Sequence, residues 1–239
     1  MKKLIRNGIL ILVALFLLLI SYSAAVIIKA RVNTLEITGK ALSSNVVKLR
    51  VENLSAWQIN ALLKVEDPSF YQHKGIDFRT PGAGLTTITQ SLVKIFYFKK
   101  FKPGFAKLKQ TLIARFALDP MLSKSDQLLL FINNIYLGNV NGHPVHGLYD
   151  ASMAYYGKTF DKLNENEYLS IVAMIIAPEN FSIIKRHEAN AQRVERIKKV
   201  ISGEYKPNSL MDIYYGWLSA ETMKGLAPAS YFPSLYKNK

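Results

Sequence analysis

Two short segments carry the residue types of a reaction centre. The first, Glu66 to Asp77 (EDPSFYQHKGID), places a carboxylate pair, an aromatic ring, an imidazole and a glycine close together. Glu66, Asp67 and His73 are the groups there that could exchange protons with a substrate. Taken singly, an exposed Glu-Asp pair is ordinarily surface charge and a lone His ordinarily a packing residue. The second segment, Gly84 to Lys94 (GLTTITQSLVK), sets three threonines, a glutamine and a lysine at the start of a helix. Hydroxyls, free helix N-terminal N–H groups and an ammonium suit a phosphate, although an ordinary polar helix cap has the same composition. Thr87, Gln90 and Lys94 are the candidate ligands.

Two nearby patterns are decoys. Ser91-x-x-Lys94 and Ser182-x-x-Lys185 spell the nucleophile motif of penicillin-binding transpeptidases, yet no Lys-Thr-Gly follows them. Gly157-Lys158-Thr159 ends like a phosphate loop, but Ser152 occupies the position of the required first glycine.

The elements around these segments are mostly helical. Ser55 is a predicted N-cap for a helix over 56–64, and the periodicity of Ile88, Leu92 and Ile95 predicts one over 86–97. A further helix is predicted from Phe105 to Leu118, stopped by Asp119 and Pro120, and the next is capped by Ser123 and runs through Ile135. Helices also fit 149–155, 165–176 and 188–201. The basic stretch Lys99, Lys100, Lys102 before Pro103 and Gly104 reads as a loop. Residues 31–54 read as an extended lead-in, in which the alternation of Val46 to Val51 predicts a strand. The class is mainly α.

Gly8 to Ile28 contains no charged residue, and such a run is long enough to cross a bilayer as a helix. Lys2, Lys3 and Arg6 precede it and place the N-terminus in the cytoplasm. The run continues through Val26 to Ile28, past the small residues Ser21 to Ala25, which predicts a retained anchor rather than a cleaved signal peptide. The chain carries 31 Lys and Arg against 17 Asp and Glu, a formal charge of +14, and this excess behind a membrane segment favours anionic lipid over nucleic acid. No cysteine is present, which excludes a disulfide framework, a thiolate nucleophile and a zinc-thiolate site. The 49% hydrophobic content, with 13 Tyr and 12 Phe, supports a packed core.

In this order and behind an anchor, the two segments resemble glycosyltransferase family 51, the peptidoglycan glycosyltransferases and the polymerase domains of bifunctional penicillin-binding proteins. Glu66, Asp67, Phe70, His73, Gly75 and Asp77 match the family's first motif. Gly84, Thr87, Ile88, Thr89, Gln90 and Lys94 match its second, with Thr86 standing for Ser and Ser91 for Gln. The likeness runs from about Val46 to about Val200 and includes Ser123, Asn133, Tyr136, Gly138, Gly147 and Gly157. It implies a lysozyme-like helical domain over 55–203, behind an anchor (1–30) and the lead-in (31–54), with a C-terminal extension over 204–239.

The resemblance also implies a mechanism. A lipid-linked disaccharide donates its sugar to an acceptor hydroxyl, with polyprenyl pyrophosphate leaving. Glu66 is the implied base; Asp67, His73, Thr87, Gln90, Lys94 and Lys107 bind substrate. The third motif, Arg-Lys-x-x-Glu, falls on Ala106, Lys107 and Gln110, or on Thr111 by the alternative count, so its glutamate is absent; another family glutamate falls on Leu129. That second acidic residue ordinarily assists at the pyrophosphate, directly or through a divalent cation such as Mg or Mn. Gln110 keeps the shape without the charge, and Gln110→Glu is expected to be tolerated and to raise activity or create a dependence on divalent cation. The stretch between Asp77 and Gly84 is shorter than in the family. Three activities compete: polymerisation of the precursor on the outer face of a bacterial inner membrane, binding of precursor or cell-wall proteins without turnover, and lysozyme-like cleavage of glycan.

Overall fold

The computed structural model describes residues 2–43, 47–102 and 104–216. α1 (Lys2–Ser43) carries the apolar run, its most apolar window has a mean hydropathy of 2.8, and it is long and apolar enough to cross a membrane. It does not end near residue 30. The expected extended lead-in is helical as far as Ser43, because Ala30, Thr34 and Thr38 form a buried stripe against the domain. Thr34 Oγ1 donates to Ala30 O at 2.7 Å and shares a 2.7 Å hydrogen bond with Tyr97 OH. The predicted strand at 46–51 is also absent. Val46 lies outside the described residues; from 47 to 50 the chain has no partner strand, and the side chain of Asn133 takes its place. Asn133 Oδ1 accepts from Lys48 and Leu49 N–H, and its Nδ2 donates to Leu49 O. Val51–Asn53 then forms one 3₁₀ turn.

α2 (Ala56–Glu66) begins at Ser55 with a reciprocal capping box to Gln58 and buries Ala61, Leu62, Leu63 and Val65. α3 (Ile88–Tyr97) starts at Thr87 with the same device, using Gln90. α4 (Phe105–Ile113) does not stop before Asp119. It passes through a π-helical turn, Ala114–Leu118, into α5 (Asp119–Met121). Pro120 cannot donate to the carbonyl four residues back, and that oxygen, on Phe116, accepts Arg31 Nη1 of α1 at 3.3 Å. α6 (Lys124–Asn134), α7 (Leu148–Tyr156), α8 (Glu165–Met174) and α9 (His187–Ser202) complete the helical set close to the expected limits. α8 is central: Tyr168, Leu169 and the whole of Ile171–Met174 are buried.

Sequence reading missed one hairpin. β1 (Tyr136–Val140) pairs antiparallel with β2 (His143–His146) through Asn141 and Gly142, both at positive φ. That geometry is the two-residue turn that right-twisted strands require. A bulge between Tyr136 and Asn139 contains Gly138 (φ 92), where an added Cβ would lie 2.7 Å from Tyr155 OH.

Beyond α9 the chain folds back across the domain as a strap, residues 204–216. Ser209 O accepts Gly82 N–H at 2.9 Å and Leu210 O accepts Gly84 N–H at 2.8 Å. Tyr215, buried and at φ 59, donates its hydroxyl to Val65 O at 3.0 Å. Asp212 organises the strap by accepting from Tyr205 OH and from the N–H groups of Asn208 and Gly216. Residues 217–239 of the expected extension lie outside the described residues.

Candidate active site

Glu66 closes α2 and faces a cavity of about 280 Å³. Loop residues Gly82–Thr86, Ser91 and Lys94 of α3, Arg193 of α9 and Ile213 of the strap form much of its wall. Burial pushes the Glu66 carboxyl up to about 7; the Arg193 guanidinium pulls it down and Asp67 pushes it further up. Lys94 is depressed to about 8 by burial and then by the charge of Lys107. Burial alone brings Lys107 down to about 8. Lys107 Nζ reaches the cavity rim, donating to Leu85 O at 2.7 Å and Thr86 Oγ1 at 2.9 Å. Lys94 Nζ also lies 5.3 Å from the centre of the Phe101 ring.

Asp67, next to Glu66 in sequence, points the other way. Its carboxylate is buried, accepts Ile88 N–H at 2.9 Å, and meets His73 Nε2 at 2.9 and 3.0 Å. It ties the end of α2 to the positive end of α3. His73 Nδ1 is buried with no hydrogen-bond partner among the described residues. Thr87 and Gln90 are equally inward. Thr87 Oγ1 donates to Gly75 O and accepts Gln90 N–H, while Gln90 Oε1 accepts Thr87 N–H and its Nε2 donates to Thr111 Oγ1. The N–H groups of Ile88 and Gln90, expected to be open to a phosphate, are thus occupied by protein oxygens.

The rest of the first motif braces this frame. For Asp77, burial would raise its carboxyl, but hydrogen bonds from Ser69 Oγ and from the N–H groups of Arg79 and Thr80 hold it down at about 2. Gly75 (φ +82) lies against the π turn: an added Cβ would sit 2.5 Å from Ala114 O. A π turn at such a packing point shifts the helix register by the fraction needed to admit the neighbouring chain.

Gln110 is 1% exposed and does not line the cavity. Its Nε2 donates to Gln90 O at 2.6 Å, and its Oε1 is buried without a partner among the described residues. The structure therefore brings Glu66, Lys94 and Lys107 together at the cavity and places Asp67, His73, Thr87, Gln90 and Gln110 in the packing behind it. No three His, Asp or Glu side chains converge among the described residues. The cavity's single carboxylate is flanked by cations, so its donor set does not fit a divalent ion.

Sequence reading missed Arg193. It is 1% exposed, donates to Ala173 O and Ile213 O, each at 3.1 Å, and stacks over the rings of Phe181, Tyr214 and Tyr215. Its position gave a sign: Asn190, Arg193, Ile197 and Val200 recur at helical spacing on the buried face of α9, and a charge on such a face calls for a partner.

Penicillin-binding protein 1A of Escherichia coli (strain K12) is 29% identical over 149 residues, covering 57% of this chain and 17% of the relative. Penicillin-binding protein 1F of Bacillus subtilis (strain 168) is 29% identical over 225 residues, 82% of this chain and 31% of the relative. A monofunctional glycosyltransferase of Staphylococcus epidermidis (strain ATCC 12228) is 28% identical over 162 residues, 62% of this chain and 58% of the relative. The chain thus spans less than two thirds of the length of each of these relatives. The transglycosylase family matches residues 33–202, from the domain-packed half of α1 to the end of α9, and the chain belongs to that family.

Proposed function

We propose that this protein polymerises cell-wall glycan from a lipid-linked disaccharide, with polyprenyl pyrophosphate as the leaving group. The observation that carries the reading is the pairing of opposite functional groups on one cavity: a carboxyl raised to about 7 and two ammoniums lowered to about 8. A carboxyl tuned to near neutral pH is an effective proton acceptor, while the two ammoniums still carry charge there. Glu66 removes the proton from the acceptor hydroxyl as its oxygen attacks the anomeric carbon of the donor. The glycosidic bond forms, the bond to pyrophosphate breaks, and Lys94 and Lys107 meet the charge that develops on the leaving oxygens. Both ammoniums are held in partial burial at some cost, which an incoming dianion relieves. Asp67, His73, Thr87, Gln90 and Gln110 act as positioning residues that fix α2, α3 and α4 around the reacting groups.

α1 spans the bilayer with its basic tip in the cytoplasm, which places the domain on the outer face of a bacterial membrane beside its lipid-linked substrate. The test is direct: purified full chain with labelled lipid-linked precursor, scored for polymer. Polymer lost in Glu66→Gln supports the reading. Precursor binding without polymer from the wild-type chain refutes turnover and leaves a binding module.

A further inference from the structure

A second cavity, of about 320 Å³, lies between α1 and the faces of α3 and α4, and shares no lining residue with the Glu66 cavity. On α1 the lining runs from Tyr22, Ala25 and Val26 on the membrane side of Lys29 to Asn33 and Ile37 on the domain side, where Phe96 and Ile113 face it. Lys29 and Lys109 also line it. α1 supplies a depth scale, because its uncharged run ends at Ile28 and Lys29 is the first charge on the domain side. At a rise of 1.5 Å per residue, Tyr22 lies about 10 Å deeper than Lys29. One end of the cavity therefore sits in hydrocarbon and the lysines sit at headgroup depth.

The charge at that level is uncompensated. Neither Lys29 nor Lys109 has a carboxylate partner among the described residues, and Glu36, the nearest acid along α1, is paired with Lys40 at 2.6 Å. Lys109 Nζ lies 5.3 Å from the centre of the Phe98 ring, a contact that leaves its charge in place. The surface beside the cavity is apolar and exposed: Phe105 is 85% exposed on α4 and Val32 74% on α1. An apolar membrane-side half that meets two ammoniums at headgroup depth matches an amphiphile with an anionic head.

We propose that this cavity binds an anionic glycerophospholipid of the bilayer, with one acyl chain against Tyr22, Ala25 and Val26 and the phosphate between Lys29 and Lys109. The site rests on α1 spanning the membrane, as proposed above, and is independent of glycosyl transfer. The lipid ties the anchor to α4 and so fixes the height of the Glu66 cavity above the bilayer.

The experiment is native mass spectrometry of the full chain released from bilayers of equal phosphatidylglycerol and phosphatidylcholine. One phosphatidylglycerol is expected to remain bound, in clear preference to phosphatidylcholine. Lys29→Gln with Lys109→Gln should reduce that preference about 30-fold, from the attraction of two lysines to an anionic lipid surface. Ala25→Trp, at an exposed position on α1, should fill the slot and abolish retention of either lipid, with helicity by circular dichroism unchanged. Equal retention of both lipids, a preference unaffected by the lysine pair, or displacement by equimolar polyprenyl phosphate overturns the proposal. Membrane association in alkaline wash is scored alongside: its loss refutes the spanning helix, whereas intact association without headgroup preference refutes the lipid site alone.

Discussion

Glu66→Gln separates catalysis from stability, because the two should move in opposite directions. Removing the base should lower polymer formation by about 10²- to 10⁴-fold. The same substitution should stabilise the fold at alkaline pH. Glu66 titrates at about 7 in the folded chain against 4.5 for an unburied glutamate, with burial as the main cause. A folded-state pKa above the unfolded one means that the contribution of Glu66 is at its most favourable below pH 4.5. That contribution is lost progressively as pH rises to about 7. At 1.36 kcal/mol per pKa unit, the gap corresponds to about 3 kcal/mol above pH 7 and to under about 1 kcal/mol at pH 5.

A neutral amide of the same size carries no such cost. For a domain of this length, the variant should melt roughly 5–10 °C above wild type at pH 8 and within about 3 °C of it at pH 5. Differential scanning fluorimetry of both proteins across pH 5–8 reads the effect. Parallel melting curves at every pH would show that Glu66 is hydrated in the folded state, and would remove the basis for its role as a base near neutrality. Lost activity with an unchanged melting profile would refute the burial argument specifically.

The wild-type rate should follow a bell in pH, rising through about 7 as Glu66 ionises and falling through about 8 as Lys94 and Lys107 lose their protons; stopped polymerisation assays over pH 6–9 measure both limbs. Lys94→Met and Lys107→Met should each weaken lipid-linked precursor binding about 10- to 100-fold, the scale of a charge-assisted phosphate contact, and leave affinity for lipid-free glycan within about 2-fold. Equal loss for both ligands, in a binding titration, contradicts the assignment. Tyr215→Phe strands Val65 O without its 3.0 Å partner and should lower stability by about 1–2 kcal/mol in denaturant titration. Gln110→Glu should cost about 2–4 kcal/mol and bring no divalent-cation dependence, because it replaces the donor to Gln90 O with an uncompensated buried carboxylate; a rise in activity with Mg would overturn this.

That last expectation reverses the one drawn from sequence, and the reason is physical. Gln and Glu are nearly isosteric, so spacing alone makes the exchange look harmless. What decides is the 2.6 Å contact of Nε2 with a carbonyl, which no one-dimensional pattern displays. The same holds for Thr87 and Gln90. Their types suited a phosphate cradle, yet the spacing Thr87-x-x-Gln90 also spells a capping box, and the local hydrogen bonds form that box. Helices 2, 3 and 6 were legible because Ser55, Thr87 and Ser123 announce them. The hairpin has its own signal in Asn141-Gly142, which lies between two segments of helical periodicity. The second half of α1 was not: Thr34 and Thr38 are modest helix formers, and only their burial against the domain keeps the helix intact to Ser43.

The short Asp77–Gly84 stretch is closed over by a segment distant in sequence. The strap packs against this stretch beside the Glu66 cavity. Ser209 and Leu210 carbonyls bind the Gly82 and Gly84 N–H groups, and Ile213 crowds Gly84 so closely that an added Cβ would meet it at 3.0 Å. Tyr215 fastens the strap to Val65, the residue before Glu66, while Ile213 O holds Arg193. Both contributions act on the same carboxyl: the strap helps exclude water, which raises its pKa, and the arginine it helps to pin opposes that rise. The value near 7 is the balance of burial and Asp67, which raise it, against Arg193, which lowers it. Arg193 lies within the residues that match the family and the strap beyond them, so the environment of Glu66 is assembled from both sides of that boundary.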